Sequence, residues 1–159
     1  TVLSRGLGDV YKRQGDWRAA QIQTSRNYVR NYQVLVSLKG GYGPQANGTP
    51  PPVVVLNYMD VKPYMAAEYE KMELETFMPT HKESGLRKGW GLHKVLNHYG
   101  SEQGFNYITA DFYDSLETLY NSIDQTNPLG DDQLKNSQAM DEIRDLKRAH
   151  IMTLVKSIR

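Results

Sequence analysis

The chain has 159 residues, nineteen basic and eighteen acidic for a net charge of +1, with hydrophobic residues at 39% and charged residues at 23%. Such values belong to one folded domain plus a short extension, and they exclude a disordered or fibrous chain. The charges form no block of one sign and no apolar run approaches the roughly eighteen residues of a membrane helix, so neither nucleic acid nor a membrane span is expected. Zero Cys excludes disulfides, thiol nucleophiles and Cys-ligated metal sites, and leaves the compartment open between cytoplasm and export.

In chain order, Ser4 to Gln14 reads SRGLGDVYKRQ, which resembles the in-frame translation of a Nextera-type sequencing adaptor. Residues 1–14 are therefore expected to be an adaptor-derived artefact, with about 145 native residues beginning near Gly15. The extension 15–39 carries Arg26 and Arg30 at the spacing of Arg144 and Arg148, and Tyr32 to Val36 then falls beside His150 to Leu154. It reads either as the closing helix and strand of an upstream tandem copy or as an extra helix packed on the domain. Segment 40–52, GGYGPQANGTPPP, concentrates Gly and Pro without apolar periodicity and reads as a linker, which leaves 53–159 as the main domain.

The main domain opens with Val53 to Val61, a β-branched and aromatic run stopped by Lys62-Pro63, predicting a strand buried on both faces. From Met65, the residues Tyr69, Met72 and Thr76 recur at helical spacing, predicting an amphipathic helix of about four turns, kinked or broken at Pro79 and closed at Gly85. Gly89 to Tyr99 and Gly104 to Tyr113 alternate around a Gly-rich turn and predict a β-hairpin. A helix capped by Asp114 or Ser115 is expected to reach Asp124, and a second to run from Gln133 to Arg148. His150 to Val155 either continues that helix or forms a last strand. This order predicts an α+β, ferredoxin-like fold, a four-stranded antiparallel sheet with helices on one face. Apolar residues on both faces of the strands call for a second layer over the open face, supplied by self-association or by a tandem copy.

The blocks NYMDVKP, EYEKMELETFMPTHKESGLRKGWGLHKV and GFNYITADFYD carry a resemblance to the dimeric α+β barrel superfamily. Within it, the chain looks like small bacterial proteins distantly similar to antibiotic-biosynthesis monooxygenases. The local signature is Tyr69 and Glu73, Pro79-x-His81, Gly89-Trp90 and Asn106-Tyr107, and the likeness covers Val53 to about Asp124. It implies a dimeric barrel, homodimeric or tandem, whose members include cofactor-free oxygenases, haem-degrading enzymes and isomerases.

His81 and Glu73 are the candidate catalytic residues, one an imidazole at a helix break, the other a carboxyl at the edge of the apolar stripe. A straight helix would carry His81 about 120° away from the centre of that stripe, so a histidine that merely ties the helix end to backbone is the competing reading. Trp90, Tyr107 and Tyr58, with His93 and Asn106, are the candidate ligand-binding residues for a small apolar or aromatic molecule. Alternation puts Asn106 and Tyr107 on opposite faces. No metal site and no cofactor are expected, since His81, His93 and His98 lack ligand spacing; a haem held by a single histidine stays open. The two functions in competition are thus a small-molecule-binding domain with cofactor-free oxygenase-like or isomerase-like chemistry, and a non-enzymatic self-association domain.

Overall fold

In a computed structural model the residues described are 16, 18, 33–43, 50–97, 104–123 and 130–155. The chain divides into two units, Thr1–Gln33 and Val34–Arg159. Within the first, Asp16 and Arg18 are helical, and the adaptor-like residues 1–14 lie outside the described residues, as do Arg26 and Arg30.

The second unit is α+β, built on a fully antiparallel sheet of five strands: β1 (Val36–Tyr42), β2 (Val53–Val61), β3 (Gly89–Val95), β4 (Tyr107–Tyr113) and β5 (Arg144–Thr153), in the order β1-β3-β4-β2-β5. Without β1 this is the ferredoxin-like order. The expected four-stranded sheet is therefore corrected to five, because β1 adds itself to the free edge of β3. Glycine makes that addition possible. A Cβ on Gly41 would collide with the backbone carbonyl of Trp90, so strand β1 takes in Gly40 to Tyr42, which composition alone reads as the start of a linker. A register shift between Leu38 and Gly40 turns Lys39 toward the helices, where its Nζ lies 3.4 Å from Glu70.

Helix α1 links β2 to β3 through three consecutive segments, α-helical Ala66–Met72, π-helical Glu73–Phe77 and α-helical Met78–Ser84. It is not broken at Pro79. A proline removes an i→i−4 hydrogen bond and crowds the carbonyl it would have reached, and the wider turn just before it relieves both problems. Gly85 closes the helix in the left-handed conformation, φ 66°, as expected. Helix α2 (Leu116–Ile123) is capped by Ser115, whose hydroxyl accepts from the Thr118 N–H at 3.0 Å.

Helix α3 (Asp131–Ile143) stops five residues earlier than its periodicity suggests. Met140 and Ile143 are its buried end, and the chain turns extended at Arg144 so that β5 can pair along β2 from Val61 to Val53. All three helices cover one face. Tyr69, Met140 and Ile143 pack there with Met59, Val61, Trp90, Leu92 and Tyr107, while Leu119 packs on Val53, Val55 and Tyr113. Each large side chain buried in this way contributes roughly 1.5–3 kcal/mol.

Candidate functional site

Alternation along the strands decides what meets under α1. On β2 the inward residues are Val53, Val55, Asn57, Met59 and Val61; pairing sets Asn57 beside Thr109 and Val55 beside Asp111 on β4, and Trp90 of β3 beside Asp111. Three polar side chains of the middle strands, Asn57, Thr109 and Asp111, therefore point into an otherwise apolar core. Their hydrogen bonds are made locally: the Asn57 amide donates to Asp111 Oδ2 at 2.6 Å and to Thr109 Oγ1 at 3.2 Å.

Arg87, in the loop after α1, completes the pairing. Its Nε lies 2.9 Å from Asp111 Oδ1 and donates to the Tyr113 hydroxyl at 3.1 Å, while its Nη1 donates to His81 Nδ1. Burial pushes the Asp111 carboxyl up, and Arg87 and Asn57 pull against it. His81 is held well below its ordinary value, at about 3, first by burial and then by the Arg87 cation. It is thus a neutral imidazole whose Nδ1 accepts, which leaves the proton on Nε2 as a donor.

Glu73 opens the π segment and is 6% exposed. Burial raises its carboxyl to about 7, opposed by Tyr69 and by the charge of Arg144. The Tyr69 hydroxyl sits one turn back beside this carboxyl, within electrostatic reach but outside normal hydrogen-bond geometry, and burial and Glu73 together raise it far above its usual value. A cavity of about 290 Å³ joins these groups. Glu73, His81, Arg87, Arg144, Asn57 and Asp111 line it with Trp90, Met59, Phe77 and Met140.

The π segment explains why His81 faces this cavity. Four residues of α-helix overshoot a full turn by roughly 40°, so Tyr69, Glu73, Phe77 and His81 would drift steadily around the helix. A π turn holds one residue more, so the same step falls short of a turn and rotates Phe77 and His81 back over the sheet. His81 consequently lies with its ring 6.1 Å from that of Trp90.

The remaining candidates are placed elsewhere. Tyr107 faces the helices but donates its hydroxyl to Glu70 at 2.6 Å, away from the cavity lining. Burial and that bond raise its pKa. Asn106, just before β4, ties itself to the end of β2, donating to the Val61 carbonyl and accepting the Val61 N–H, each at 2.8 Å. Tyr58 and His93 lie on the opposite face of the sheet. Tyr58 packs edge-on to Phe105, and the guanidinium of Arg148 stands 4.7 Å from the centre of its ring. Of the seven candidates, the structure brings together Glu73, His81 and Trp90. Sequence reasoning does not single out Asn57, Arg87, Asp111 or Arg144, although polar residues at inward positions of apolar strands, Asn57 and Asp111, are a readable signal.

Among the described residues no three His, Asp or Glu side chains gather as a metal cluster. His81 is the histidine on the cavity wall; with Nδ1 accepting from Arg87, its Nε2 carries the ring proton and offers no lone pair to a haem iron. No helix of the described residues is long and apolar enough to cross a membrane. Compared with known proteins, the chain matches no family model and no curated protein.

Proposed function

We propose that this domain is a small-molecule-binding protein of the dimeric α+β barrel type, akin to antibiotic-biosynthesis monooxygenases, that performs proton transfer in the cavity under α1. Glu73 carries the reading. A buried carboxyl whose pKa lies at about 7 is half ionised near neutral pH, the condition under which a general base and its conjugate acid are both available. As carboxylate it takes a proton from a phenol or from carbon next to a carbonyl. The resulting oxyanion is stabilised by the His81 Nε2–H and by Arg87 and Arg144. Returning the proton to another carbon gives an isomerase-like reaction that needs no other reactant. Passing the electrons of the anion to dioxygen as co-substrate gives the oxygenase-like one. His81 serves as donor in both, since its lowered pKa unfits it as base. Trp90 supplies the apolar wall on which a planar ring rests.

Titration calorimetry of the full chain with a panel of small phenols and 1,3-dicarbonyls, including 4-methoxyphenol, tests this. One-to-one binding that Trp90→Ala abolishes is expected. A panel without a binder overturns the reading in favour of the second one, a self-association domain. That alternative draws on the opposite face of the sheet, where Leu38 and Met152 are exposed beside Leu56, Tyr58 and Ile108. There it would serve a second copy of this chain or an upstream tandem copy.

A further inference from the structure

The His81–Arg87 pair has a cavity on each side. Besides the one under α1, a second of about 280 Å³ lies between the C-terminal half of α1, α2 and α3, and Phe77, His81 and Arg87 line both. Each alone is at the lower edge of the roughly 300–1,000 Å³ usual for small-molecule sites, whereas a ligand reaching into both would fill a volume well inside that range.

The two differ in chemistry. The inner cavity mixes ionisable groups with Trp90, Met59 and Met140, while the outer one is walled by hydroxyls and carboxamides, among them Thr80, Ser84, Ser122, Asn136 and Ser137, with Arg87 as its one formal charge among the described residues. Three of those hydroxyls spend their proton on backbone carbonyls of their own helices. Thr80 donates to the Thr76 carbonyl at 2.8 Å, Ser84 to that of His81 at 2.9 Å and Ser122 to that of Leu119 at 2.7 Å. A hydroxyl has one proton and two lone pairs, so these oxygens meet the cavity as acceptors. Their complement is a neutral group rich in O–H donors. An ammonium would be repelled by Arg87, and a carboxylate would face acceptor oxygens.

We infer that the ligand is a two-part molecule, with an aromatic or enolisable head under α1 and a glycosyl group in the outer cavity, His81 and Arg87 touching both. This rests on the small-molecule reading above. Calorimetry with 4-hydroxyphenyl β-D-glucoside and 4-methoxyphenol tests it, since the two share the phenol and the para ether oxygen and differ in the sugar.

The glucoside is expected to bind roughly tenfold tighter. Ser137→Leu, which fills the outer cavity from α3, is expected to erase that advantage and leave 4-methoxyphenol unaffected. Thr80→Val, which removes an acceptor at nearly constant shape, should reduce it, and circular dichroism checks that both variants fold. Equal affinities in the unmodified protein, or an advantage that survives both variants, overturn the two-part ligand alone. Binding of neither compound overturns the small-molecule reading and this inference with it.

Discussion

On the helix-covered face of the sheet, β2 and β4 turn Asn57, Thr109 and Asp111 inward among Met59, Trp90 and Tyr113; on the other face the same two strands show Leu56, Tyr58, Ile108 and Phe112. The covered face thus buries an ion pair, Asp111 with Arg87, whereas on the open face Arg148 lies over the rings of Tyr58 and Phe105, and Asp60 pairs with Lys147 where both side chains are exposed. Burying an ion is costly unless it is paired and hydrogen-bonded. Apolar packing alone would have stabilised the covered face more cheaply, as it does the open one. The buried ions there are therefore an argument for chemistry, and the apolar face is an argument for packing against something.

The largest test of this contrast removes the centre of the polar network. Asp111→Ala leaves Arg87 partly buried without its carboxylate and is expected to cost about 3–5 kcal/mol in a urea titration. A loss below about 1 kcal/mol would mean the network is solvated and the two faces are not so different.

Glu73→Gln comes next, through pH. The unfolded carboxyl titrates at its ordinary 4.5 and the folded one at about 7, so the folded state holds the extra proton. Stability from this group is full below pH 4.5 and is lost as pH rises to 7, by on the order of 3 kcal/mol. The Gln variant is expected to be more stable than the parent at pH 8 and little changed at pH 4. His81 runs the other way: with its folded pKa lowered from 6.5 to about 3, its contribution is full above pH 6.5 and is lost on acidification. Thermal melts of the Glu73→Gln variant should therefore keep the acid-side loss and show less of the loss toward pH 7.

Smaller effects lie on the edge strand and the open face. Gly41→Ala forces β1 away from the Trp90 carbonyl and is expected to cost about 1–3 kcal/mol, with earlier hydrogen exchange in β1 than in β4. Leu38→Asp, at a side chain 64% exposed, should leave stability within about 0.5 kcal/mol. Sedimentation velocity on that variant sharpens the contrast further, because a second copy seated on the open face would be released by the charge.

Several particulars are legible in the amino-acid order alone. The strand from Val53 to Val61 follows from its β-branched run, a cap at Asp114 or Ser115 from their position before an apolar run, and the Gly85 stop from the glycine itself. Glu73 and Trp90 are readable as candidates because each sits on or beside an apolar stripe. Tyr58 and His93 are not separable from them, since a strand with apolar residues on both faces does not announce which face the helices cover. The end of α3 is hidden for a related reason: Arg144 to Arg148 satisfies a helical period, and it is pairing with β2 that makes it a strand.

The sequence by itself determined the order of elements and the two periods that make them, because side-chain alternation and helical spacing are local properties of the chain. It also determined that Asn57 shares a strand face with Val55 and Met59, and Asp111 with Tyr113, though not which face the helices cover. Only the tertiary structure decided that β1 extends the sheet, that Arg87 reaches Asp111 and His81 together, and that a π turn rotates His81 over Trp90. Those outcomes depend on which backbones approach closely and which buried charges find partners, and both are settled by packing between segments far apart in the chain.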